Sequence, residues 1–167
     1  MHTLTRQLAH LLRTQRVATL ATLDTNGLPQ QSLVPFAIDA EAPALVILVS
    51  ALAAHTAALA REPVASLLVH EAAPSDGPVH ALHRVSLQTS ARLLDPTDPQ
   101  VPRLRQLYLQ RFADARPITE LGDFRFVRLQ PQSARQVAGF GAARSLDAEE
   151  LVQALVLAGT ATEHPGD

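Results

Sequence analysis

Leu4, Leu8, Leu11 and Leu12 recur at the spacing of one helical face, which predicts an amphipathic helix over residues 3–15. The next stretch, "RVATLATLD" (16–24), predicts a strand, and "TNG" (25–27) predicts a hairpin turn, because Asn-Gly tolerates positive φ. "PQQSLVPFAID" (29–39) is the return strand. Pro35 cannot donate to a ladder, so it marks an edge, a bulge or an opening in the sheet. A third strand follows at "ALVILVS" (44–50), then a short helix over 51–61 that stops before Pro63.

Strands are predicted again at "VASLLVHE" (64–71) and "RVSLQTSARLL" (84–94), on either side of the loop "APSDGP" (73–78). Residues 95–115 read as a turn and then a helix with Leu104, Leu107 and Tyr108 on one face. "DFRFVRLQ" (123–130) alternates strictly, although either face could be the buried one. "SARQVAGFGAARSL" (133–146) is a last strand running into a glycine turn. Asp147 and the acidic residues after it open a helix over 147–159. The whole predicts a mainly β fold, a small β-barrel with α-helices packed outside. The first three strands are joined by turns too short for parallel crossovers. Residues 1–158 form one domain in this reading, and 159–167 a frayed tail.

At 167 residues, 47% hydrophobic and 18% charged, the chain can bury a single globular core. A formal net charge of -2 gives no reason to expect nucleic acid. No apolar run reaches a membrane span and the start does not resemble a signal peptide, so a cytoplasmic location is expected. Two absences narrow the chemistry more. Without cysteine there is no disulfide, thiolate nucleophile or cysteine-held metal. Every basic residue except histidine is arginine, and without lysine there is no Schiff base and no P-loop lysine. Anions must be met by Arg, His, hydroxyls and backbone amides.

"VSALAAHTAAL" (49–59) is the first candidate for such a site. With Ser50 as the cap, the amides of residues 51–53 would lie open at a helix start, and His55 and Thr56 would add donors, an arrangement suited to a phosphate. An ordinary serine cap accounts for the same letters. In "HALHR" (80–84), alternation sends His80 and His83 to opposite faces, which argues against a shared metal, though a single histidine could ligate haem iron. Arg84 suits either a strand-edge ion pair or an anion contact. Gly139 and Gly141 in "AGFGAAR" lack the third glycine of a dinucleotide fingerprint.

The order of "LATLDTNGLPQQSLVPFAID", "SALAAHT" and "AGFGAA" along the chain resembles the FMN-binding split-barrel family, the relatives of pyridoxamine 5'-phosphate oxidase, and is most similar to its haem-utilisation branch. The resemblance spans residues 10 to about 150. It implies a homodimer with FMN in two clefts at the subunit interface. By this resemblance Ser32, Leu33, Val34 and Pro35 line the flavin. Ser50, His55 and Thr56 hold its phosphate, and Arg84 contacts the ring. The turn of Gly139 and Gly141 approaches the partner's flavin, with Arg144 as an anion contact. Oxidase relatives carry Arg-Lys where this chain has His55-Thr56, and an arginine where it has Ser32. The branch usually has an asparagine where this chain has Ala58.

The leading expectation is therefore an FMN-dependent oxidoreductase acting on a small molecule. Pyridoxamine 5'-phosphate oxidation itself is not expected, because the basic cluster for a substrate phosphate is missing. The alternative is a haem or tetrapyrrole binder that uses the same cleft without flavin chemistry, favoured by the reduced positive charge at Ser32, His55 and Thr56. A barrel without ligand, serving as an interaction module, is a third class.

Overall fold

A computed structural model describes residues 3–160. The elements are α1 (Thr3–Thr14), β1 (Val17–Leu23), β2 (Pro29–Pro35), β3 (Ala37–Asp39), β4 (Ala44–Ser50), α2 (Ala54–Arg61), β5 (Val64–His70) and β6 (Arg84–Leu93). They continue with α3 (Val101–Arg111), a short 3-10 turn, α4 (Arg116–Thr119), β7 (Phe124–Val137), β8 (Ala143–Leu146) and α5 (Ala148–Thr160). All strand pairs are antiparallel, in the order β2-β1-β5-β6-β7-β4-β3, with β8 added on β7. The sheet curls into a half-barrel around an apolar core.

Pro35 ends β2, and after Phe36 the chain resumes as β3 at the other end of the sheet. The predicted 29–39 strand is thus two strands, separated where proline withdraws its donor. Phe36 is fully buried, and its amide donates to the Arg16 carbonyl at 3.2 Å. In contrast, the last two predicted strands are one: β7 runs unbroken through Pro131 and Gln132, opposite a register shift at Gln88/Thr89 of β6. Such a bulge lets a proline sit within a ladder.

β7 also resolves the ambiguous alternation of "DFRFVRLQ", because both of its faces are covered. Val127 and Leu129 join the main core with Leu20, Phe36, Ile47, Leu67 and Leu87. Phe126 joins a second cluster with Leu104, Tyr108 and Phe112 of the α3 region, its ring edge-on to Tyr108 at 5.8 Å. α3 therefore covers the outside of the β3-β4-β7 half, while α1 and α5 close the main core through Leu8, Leu12, Leu151 and Leu155.

α5 extends to Thr160, so Gly159 and Thr160, expected in the tail, are helical. Gly159 allows that last turn to press on the sheet, since a β-carbon there would lie 2.7 Å from the Ala40 Cβ. The rest of the expected tail, 161–167, lies outside the described residues. Among the described residues no helix is long and apolar enough to cross a membrane.

Candidate functional site at the β4–α2 turn

Ser50 is the last residue of β4, and α2 begins only at Ala54. The N-cap is Ala53, which makes no side-chain capping bond. Ser50 instead organises a tight turn. Its Oγ accepts the Leu52 amide at 3.2 Å, and its carbonyl accepts the Ala53 amide at 3.1 Å and the Thr56 hydroxyl at 2.5 Å. The Ala51 amide donates across to the Asp123 carbonyl at 2.7 Å. All three amides expected to be open to a phosphate are thus already bonded. Thr56 is buried and its hydroxyl donates back into the protein.

His55 behaves differently. Its Nδ1 lies 3.0 Å from the Ser32 Oγ on β2, a contact between residues 23 apart in sequence. The ring is half-buried, and burial lowers its pKa from the ordinary value, which favours the neutral imidazole. Ser32 faces the α2 side of the sheet. Leu33, its neighbour, turns outward and is 71% exposed. Val34 is part of the core, and Pro35 is exposed at the end of the strand.

The other predicted site residues gather elsewhere. Arg84 starts β6, paired with Val137 and His70, and its Nη1 donates to the Leu82 carbonyl at 3.0 Å and the His80 carbonyl at 3.3 Å. Beyond Val137 the chain turns on Gly139 and Gly141, with φ of 125° and 73°, where a glycine is needed. Between β2 and β6 lie β1 and β5, and Ser32 is level with Leu87, three residues from Arg84, so within one chain Ser32 and Arg84 stand about 17 Å apart across the sheet.

Arg144 points inward. It donates to Gln136 Oε1 at 3.0 Å, Glu150 Oε1 at 2.7 Å and Thr5 Oγ1 at 3.3 Å, tying β8, β7, α5 and α1 together. The sequence reading passed over two residues at this end of the barrel. Gln136 is fully buried, and its Nε2 donates to the Leu4 carbonyl at 3.0 Å and to His83 Nε2 at 3.2 Å. Phe140, 87% exposed between the two glycines, is a large apolar side chain at a turn tip. That placement was the available signal. Among the described residues no three His, Asp or Glu side chains are grouped to hold a metal ion.

A family model described as "Pyridoxamine 5'-phosphate oxidase" matches residues 4–138. The chain belongs to the pyridoxamine 5'-phosphate oxidase family. Within it, the chain is 34% identical over 117 residues to the chloroplastic haem oxygenase HOZ of Arabidopsis thaliana, covering 70% of this chain and 34% of that protein. It is 28% identical over 134 residues to the haem oxygenase HutZ of Vibrio cholerae, covering 80% and 75%. A solved haem-binding protein from Mycobacterium smegmatis superposes with a TM-score of 0.79 at 28% identity, covering 91% of this chain and 61% of that one. The chain thus spans about a third of the length of the chloroplast relative.

These family members overturn the expectation of an FMN-dependent oxidoreductase, because all three are named for haem. The turn gives a physical reason in the same direction. The amides of Ala51, Leu52 and Ala53 are bonded within the protein, and the oxidase Arg-Lys pair is His55-Thr56 here. A flavin phosphate would meet neither free amides nor fixed positive charge at that point.

Proposed function

We propose that this protein binds haem, with His55 as the side chain that meets the iron. The Ser32–His55 bond carries the reading. Metal-bound histidines are typically oriented through their other ring nitrogen; His55 Nδ1 lies 3.0 Å from Ser32 Oγ, and in the tautomer whose Nδ1–H donates to that oxygen the Nε2 lone pair is available. Burial keeps the imidazole in the neutral form that ligation requires. Leu52, 88% exposed in the turn before α2, offers apolar surface to a macrocycle edge. Bound haem would supply a redox-active iron; the chain supplies a ligand, its orientation and cover from water.

The partner in this reading is a second copy of the chain. The outer faces of β2, β1, β5 and β6 lie away from α3, and they are poor in charge. One row across them reads Leu33, Thr19, Leu68, Ser86, and the next Gln31, Ala21, Ser66, Gln88. The lack of charge in both rows, with Leu33 and Leu68 exposed, suits a buried homodimer interface. Arg84 and the Gly139–Gly141 turn lie on the far side of β1 and β5 from Ser32, an arrangement suited to a cleft completed by a second copy.

A haem titration followed in the Soret region tests the assignment. His55→Ala should lose the saturable band, whereas His70→Ala should keep it. His70 is the fair comparison because its Nδ1 is also engaged, by the Glu71 carbonyl at 2.7 Å. Retention of the band in His55→Ala would move the ligand elsewhere.

A further inference from the structure

A wide groove lies on another side of the barrel, between the end of α1, β3, α3 and the last turn of α5. It encloses about 820 Å³, within the usual range for small-molecule sites. Ala37, Ile38, Leu107 and Ala158 give it apolar walls. Three guanidinium groups, Arg13, Arg16 and Arg111, line it, and among the described residues no carboxylate does. On a chain of net charge -2 this is a local reversal of sign.

The three arginines have different duties. Arg111 closes the C-terminus of α1, donating through Nη2 to the Arg13 carbonyl at 3.1 Å, the Leu12 carbonyl at 3.5 Å and the Gln15 carbonyl. It answers the negative end of the α1 dipole, which Arg13 and Arg16 then need not do. Arg13 meets His10 Nδ1 at 3.3 Å, and Arg16 lies over the Phe112 ring at 5.1 Å. Among the described residues neither forms a salt bridge. Both keep donors for an incoming oxyanion.

From this juxtaposition we infer a second ligand site, for an apolar molecule bearing a single carboxylate, with its head on Arg13 and Arg16 and its body along Ile38, Leu107 and Ala158. A planar guanidinium pairs with carboxylate in a two-pronged geometry. The inference is independent of the haem assignment, since among the described residues no histidine lines this groove.

Calorimetric titration of the full chain with decanoate, decanol and acetate tests it. Decanoate should bind saturably at one per chain, decanol about tenfold more weakly, and acetate not measurably. Arg13→Gln and Arg16→Gln should each reduce decanoate affinity about tenfold, while Arg105→Gln, outside the groove, should not. On the unaltered protein, raising the salt from low to high concentration should weaken decanoate but not decanol. Equal binding of decanoate and decanol, indifference to both arginine changes and salt, or displacement of decanoate by haem would each overturn the inference.

Discussion

His55 Nδ1 and Ser32 Oγ, 3.0 Å apart, join the first turn of α2 to the edge strand β2. The bond fixes the ring plane of a half-buried imidazole from the strand side. Ser32→Ala should leave the fold intact but weaken haem binding by about 10- to 100-fold, the usual effect of removing the group that orients a metal-binding histidine. Haem titration of the variant measures this, with a shift of the Soret band as the accompanying sign. An unchanged affinity would mean that Ser32 only packs.

Protons should oppose folding through two histidines. Burial lowers the pKa of His55 and of His83; for His83 the Glu71 carboxylate opposes the shift and His10 adds to it. A histidine with a depressed folded pKa contributes stability above its unfolded value of about 6.5, and that contribution is lost as the pH falls below it. Unfolding midpoints should therefore decline from pH 7.5 toward pH 5.5. His83→Gln should flatten the slope in guanidinium melts across that range, and an unaltered slope would exclude His83 as a source.

Asp39 provides a separate acid limit. Its side chain is 1% exposed, and Arg103 grips it with Nη1 to Oδ1 at 2.9 Å and Nη2 to Oδ2 at 2.6 Å. Burial alone would raise its pKa, but the Arg103 and Ala42 hydrogen bonds and the charges of Arg103 and Arg128 outweigh it, and the net shift is downward from 3.8. The stability it lends is full above that value and is lost on further acidification. Arg103→Met should cost about 3 kcal/mol at pH 7, because the buried carboxylate keeps only the Ala42 amide and Arg128 at 3.7 Å. Urea denaturation checks it.

Leu68, 37% exposed, sits between Thr19 and Ser86 at the middle of the uncharged outer face. If that face holds two copies together, Leu68→Glu should convert a dimer to a monomer at micromolar concentration, because a buried unpaired carboxylate costs several kcal/mol. Sedimentation equilibrium would show the change in mass, with the circular dichroism spectrum unaltered. A mass that stays the same places the contact elsewhere.

Much of the barrel was legible because its signals are local. Asn26-Gly27 turned the first hairpin, Pro35 broke the ladder, and the leucines of α1 marked its buried face. Boundaries set by tertiary contacts were not. α2 starts three residues later than the helical pattern allows, because Ser50 and Thr56 spend their groups on a turn that also bonds Asp123. β7 could not be read as one strand, since the bulge at Pro131-Gln132 shows only in its pairing, where Gln88 and Thr89 of β6 oppose Ser133 and Pro131 and leave Gln132 unpaired. At the β4–α2 turn, nothing in the letters "SALAAHT" revealed that the amides would be occupied. The proximity of Ser32 to His55 depends on β2 lying beside α2, a relationship with no trace in a linear spacing.

The seam of the split barrel is crossed by one residue. Phe36 is sealed in the core and its amide is bonded to Arg16, so β2 and β3 cannot separate further without pulling an aromatic ring out of the protein. The strand that carries Ser32 is anchored to the core four residues further on, through Phe36, and not through a loop.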